Sequence, residues 1–76
     1  MKNSKQFTAI IEQEGDGYVA LCPELDIASQ GVTVEEARNN LREALELFFE
    51  CADPSEIESR IHKNDLFITQ LEVAVG

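Results

Sequence analysis

Carboxylates are the reactive groups this sequence holds in number. Asp and Glu total 15 against 6 Lys and Arg, a net charge of −9 over 76 residues. Asp16, Glu24, Asp26, Asp53 and Asp65 fall where loops are expected. Loop acids can hold the paired cations of a metal-dependent hydrolase, provided several converge on one point. The local pattern disperses them instead. Asp16 stands between Gly15 and Gly17, turn chemistry in which a carboxylate bonds its own backbone. Asp53 precedes Pro54, the pattern of a helix N-cap followed by proline in the first turn. Three scattered acids remain, so no metal site is expected. Nucleophilic chemistry fares no better. Cys22 stands beside Pro23, and Cys51 falls at a helix end, where the negative dipole end does not activate a thiol. His62 is the one histidine and reads as a charge partner for the end of a short helix. Gly15-Asp16-Gly17 leads into a strand, not a helix, so it does not cradle phosphate. The expectation is a protein that is not an enzyme and carries no cofactor.

The charge excludes further classes. Non-specific nucleic-acid binding runs on Lys and Arg contacts to phosphate, and no basic residue lies between Lys5 and Arg38. Phe7, Tyr18 and Phe67 could stack bases from neighbouring strands, but the acidic loops beside them favour packing. An anionic membrane surface is equally disfavoured. No apolar stretch approaches the ~20 residues of a membrane span, and the polar residues after Lys5 give no signal peptide. A cytoplasmic protein with two reduced thiols is expected. Its 43% apolar content is that of a folded chain. A core of this size supplies only about 3–5 kcal/mol. With neither disulfide nor metal in prospect, the expected additional support is a second copy or another protein.

The elements that position these residues are legible. Phe7, Ala9 and Ile11 alternate with Thr8, Ile10 and Glu12, which predicts a strand over Gln6–Gln13. Tyr18–Cys22 is a second strand, joined to the first through the Gly-rich turn as a β-hairpin. Pro23-Glu24-Leu25-Asp26 is a bend, and Ile27–Gln30 a short third strand closed by Gly31. Thr33 and Glu36 have capping-box spacing. Val34, Ala37, Leu41, Ala44, Leu45 and Phe48 then make one helical apolar stripe. Asp53–Lys63 reads as a short helix and Leu66–Val75 as a long final strand.

One α+β domain over residues 1–76 is therefore expected, a two-layer β-β-β-α-β arrangement. Its three-strand antiparallel meander would be joined by a final strand after the helical crossover. One sheet face would be bare, with Ile10, Val19, Leu21 or Ile68 on it, which predicts homo-oligomers.

The run Gly17-Tyr18-Val19-Ala20-Leu21-Cys22-Pro23-Glu24-Leu25-Asp26-Ile27-Ala28-Ser29-Gln30-Gly31, followed by Thr33-Val34-Glu35-Glu36-Ala37 and Asn40-Leu41, resembles the HicB family of antitoxins and their small relatives. The likeness covers residues 7–50 closely and 66–75 loosely. It implies a partial RNase H-like fold without that enzyme's catalytic acids. It also implies a toxin–antitoxin system, in which an acidic inhibitor binds a small basic HicA-like toxin that cleaves mRNA. Many HicB proteins continue into an operator-binding domain; the length of this sequence leads us to expect none. Expected partner contacts are Asp16, Glu24, Leu25, Asp26, Ser29 and Gln30. Two other readings stand beside this one. The chain could be an orphan self-assembling or ligand-binding module with no toxin partner, or, ranked last, a vestigial nuclease.

Overall fold

The computed structural model describes residues 6–63 and 66–76, apart from the side chains of 62 and 63. The readings of His62 as a charge partner and of Asp65 as a loop acid lie outside what is described.

Three strands form an antiparallel meander in the order β1-β2-β3: β1 Ile10–Glu14, β2 Gly17–Cys22 and β3 Ile27–Gly31. Two helices follow, α1 Val34–Cys51 and α2 Pro54–Lys63. The α+β class is as expected. The β1–β2 register pairs Ile11 with Ala20 and Glu14 with Gly17; the β2–β3 register pairs Ala20 with Ser29 and Tyr18 with Gly31. Gly15 takes φ +60 in the hairpin turn, a conformation open to glycine without steric cost.

The period of two along each strand divides the sheet. Ala20 and Cys22 are fully buried beneath α1, together with Leu25, Ala37 and Leu41. Ile11, Tyr18 and Ile27 lie on that same face by register and pack against the cluster. Ile10, Leu21 and Ala28 form one cross-strand row on the opposite face, and Glu12, Val19 and Gln30 the next. No helix covers this second face among the described residues.

Helix α1 begins as the capping box requires. The Glu36 amide donates to Thr33 Oγ1 at 3.0 Å, and the Val32 amide donates to the Glu36 carboxylate at 2.8 Å. Gly31 brings this first turn onto β3. A Cβ there would lie 2.5 Å from the Ala37 amide nitrogen and 2.8 Å from the Glu36 carbonyl carbon. At its other end, Phe49 lies 5.5 Å from the Phe7 ring and Phe48 5.3 Å from Phe49.

Asp53 caps α2, accepting from the Glu56 amide at 2.9 Å and the Ser55 hydroxyl at 2.7 Å. These bonds hold its carboxyl below the usual value. The helix docks on its own chain. Arg60 donates to the Leu25 carbonyl at 3.1 Å and lies 5.5 Å from the Phe48 ring centroid, and Ile61 packs against the core.

The final strand requires a correction. Residues 66–76 pair with no strand among the described residues. Phe67 is 86% exposed, Leu71 82% and Val75 95%. Alternation fixes which faces a segment presents once paired, but the ladder itself is a non-local bond pattern that needs an accepting edge. Among the described residues no edge receives the segment.

Candidate functional site

The β2–β3 bend and the β1–β2 turn lie at opposite ends of β2, and they divide the expected contact residues between them. At the bend, Glu24 is engaged by the fold. Its carboxylate accepts from the Thr8 amide at 3.0 and 3.1 Å, one bond to each oxygen, and from the Thr8 hydroxyl at 2.7 Å. The Cys22 thiol donates to it at 3.4 Å. Burial works against the charge on Glu24. The bonds from the Thr8 hydroxyl and the neighbouring amides outweigh it and hold the carboxyl below its ordinary value. Glu24 thus pins the chain before β1 to the bend. Leu25 is 1% exposed, a core residue whose carbonyl is taken by Arg60. Both were expected at a partner surface; here Leu25 is a core residue and the partly buried Glu24 carboxylate is engaged within the chain. The apolar body of Leu25 fills the space under α1, and the carboxylate of Glu24 is the acceptor that Thr8 needs.

Asp26 is exposed at φ 55, a left-handed conformation that aspartate tolerates better than most residues. Ser29 is half-buried and stands opposite Ala20, on the helix-covered face. Neither joins Asp16.

The other end is open. Glu14, Asp16, Tyr18, Gln30, Val32 and Glu36 line a shallow depression between the hairpin turn, the end of β3 and the start of α1. It holds two of the expected contacts, Asp16 and Gln30, and no Lys or Arg lines it. Glu12, one position further along the same face of β1, extends the acid toward the apolar row of Ile10, Leu21 and Ala28. The uncovered face thus runs from acidic at the hairpin turn to apolar at the bend. Glu12, Glu14 and Glu36 were not among the expected contacts. The signal for the first two was present: Ile10, Glu12 and Glu14 recur every second residue, which places them on one strand face.

This surface is suited to binding. Among the described residues no group of three or more His, Cys, Asp or Glu side chains could hold a metal, and no helix is long and apolar enough to cross a membrane. The two cysteines are free and differ in environment: Cys22 is buried and Cys51 exposed. Burial, foremost, pushes the Cys22 thiol up, and the facing Glu24 carboxylate adds to this. A thiol-reactive disulfide reagent at pH 8 should therefore modify Cys51 within minutes and Cys22 only as fast as the protein unfolds. Equal rates at both sites in the folded protein would contradict this burial.

The comparisons with known proteins agree among themselves. A UPF0150 protein of Synechocystis sp., ssr1765, is 38% identical over 76 residues, covering 97% of this chain and 94% of its own. A UPF0150 protein of Helicobacter pylori is 37% identical over 67 residues, covering 87% of this chain and 92% of its own. A second from Synechocystis sp., ssr1258, is 39% identical over 59 residues, covering 75% of this chain and 81% of its own. No family model matches the chain, and no solved structure does. With similarity running along almost the whole length of two such relatives, this chain belongs to the UPF0150 family.

Proposed function

We propose that this protein is a non-enzymatic inhibitor, an antitoxin of the HicB type that binds a small basic HicA-like mRNA-cleaving toxin in the cytoplasm. The observation that carries the reading is the uncovered sheet face with Glu12, Glu14 and Asp16 at one end and Ile10, Leu21 and Ala28 at the other. A basic partner meets acid that speeds its encounter, and the apolar row beside it supplies area whose burial holds the complex. The sequence resemblance supplies the class of partner. DNA binding by this chain is no part of the proposal, since its acidic surface repels phosphate.

The test is co-expression with the protein of the adjacent reading frame. Formation of a complex and rescue of growth are the expected results; absence of both would sink the inhibitor reading. In a complex so obtained, Glu14→Lys with Asp16→Lys should slow association about tenfold at low salt, with less effect on dissociation, as charges at an interface rim do. An association rate indifferent to salt in the unmodified protein would remove the acidic face from the contact. A second reading, an orphan self-assembling module, is favoured by the apolar residues exposed after residue 65. It predicts self-association with no toxin partner.

A further inference from the structure

We propose that residues 66–75 are an exchange strand, which completes the sheet of a second copy of this chain by adding to the free edge of β1. The proposal does not depend on the inhibitor reading.

The segment has the pattern of a strand and pairs with no strand among the described residues. Phe67, Thr69, Leu71, Val73 and Val75 fall on one face, and Leu66, Ile68, Gln70, Glu72 and Ala74 on the other. The first face is the more apolar and is left in water, with exposures from 65% at Val73 to 95% at Val75. A long, uncovered apolar strand is a template for edge pairing, and folded proteins cover such edges. The radius of gyration, 14.6 Å, exceeds the ~11 Å of a compact chain of this length, as a segment held away from the body requires.

Two sheet edges are on offer, and they are not equivalent. At β3, the Gln30 carbonyl already accepts from the Asn40 side chain at 2.8 Å, and α1 lies closely on the strand at Gly31. At β1, Ile10–Glu14 pairs only with β2 among the described residues. A strand added there finds an apolar rim on each side. On the helix-covered side Phe7, Ile11 and Phe49 are only partly buried and would take Phe67, Leu71, Val73 and Val75. On the uncovered side Ile10, 43% exposed, would take Leu66 and Ile68, leaving Gln70 and Glu72 facing water.

The occupant is a second copy because the donor and the acceptor are both parts of this chain, and reciprocal exchange closes a two-fold dimer in which both β1 edges are paired. Two exchanged ten-residue strands are of the order needed for a stable interface of about 1,600 Å². The small core around Ala20, Cys22, Leu25, Ala37 and Leu41 would be enlarged in each copy.

The experiment uses the full chain. Sedimentation equilibrium should give twice the 8.5 kDa chain mass at micromolar concentration. Leu71→Asp with Val73→Asp should raise the dimer dissociation constant at least a hundredfold while circular dichroism of the monomer keeps its helix content. Leu47→Asp, at an α1 position that is 60% exposed, should leave the dimer intact. In a dimer assembled from differently isotope-labelled copies, nuclear Overhauser contacts between residues 66–75 and 10–14 should cross between chains. A monomer, a dimer broken by Leu47→Asp and not by the tail variant, or the same contacts found only within one chain would each overturn the proposal. The last of these would mean that the segment returns to its own sheet.

Discussion

Gly31→Ala should cost this protein about 3 kcal/mol of stability, which is most of what a core of this size supplies. The loss comes from space and not from backbone freedom. A Cβ at this position would stand 2.5 Å from one backbone atom of α1, the Ala37 nitrogen, and 2.8 Å from another, the Glu36 carbonyl carbon. Neither atom can swing aside as a side chain can. The first turn of α1 would have to lift from β3, carrying Ala37 off the buried patch over Ala20 and Cys22. It would also strain the bonds that tie Thr33, Glu36 and Val32 together. For a chain of this length each kcal/mol shifts the melting temperature by roughly 4–8 °C, so a fall of more than 10 °C is expected in thermal melts. Gly17 offers a graded comparison. A Cβ there meets one atom at 3.0 Å, the Gly31 carbonyl oxygen, so Gly17→Ala should cost less. A Gly31→Ala melt within 2 °C of the unmodified protein would show that α1 does not need this close approach.

Glu24 carries the second large effect. Glu24→Ala removes the acceptor of the Thr8 amide, the Thr8 hydroxyl and the Cys22 thiol together. A bond to a charged acceptor contributes about 1.5–3 kcal/mol, and partners left unsatisfied add to the loss; about 2–3 kcal/mol in all is expected from urea melts at pH 7. Glu24→Gln should fall between, because one of its two termini is a donor facing donors. The pH dependence follows from the direction of the Glu24 shift. Its carboxyl is held below the ordinary 4.5 in the folded protein. Its contribution is therefore whole above about 4.5 and declines as pH falls from there through the lower folded value. The stability gap between the unmodified protein and Glu24→Gln should narrow over that acid range and stay constant from pH 6 to 8. A gap unchanged in acid would mean that the charge on Glu24 does no stabilising there.

Most of the local structure was legible because its causes are local. Turn chemistry at Gly15-Asp16-Gly17, the stop at Pro23, the capping box at Thr33 and Glu36, and the cap at Asp53 each act over a few residues. The two-residue alternation of β2 and the stripe of α1 placed Ala20, Ala37 and Leu41 correctly toward one another. The first strand was expected to begin at Gln6 and pairs only from Ile10. Thr8 shows the reason: its amide is taken by a side chain 16 residues away.

The surroundings of the expected contact residues were less legible. Asp16 and Gln30 lie on the open acidic surface, while Leu25 is in the core and the Glu24 carboxylate is taken by Thr8. A run of residues such as Glu24-Leu25-Asp26 reads as a uniform exposed bend, and nothing local says that Thr8 and Arg60 arrive beside it.

By itself, the sequence determined the order of the elements from β1 to α2, the face each of them buries and a net charge of −9. Those properties depend on residue type and short spacing. The tertiary structure alone decided which acids are engaged within the fold, that α2 closes onto its own bend, and that Leu66–Val75 pairs with no strand among the described residues. Each of those outcomes depends on groups far apart in sequence competing for the same donors, carbonyls and apolar surface.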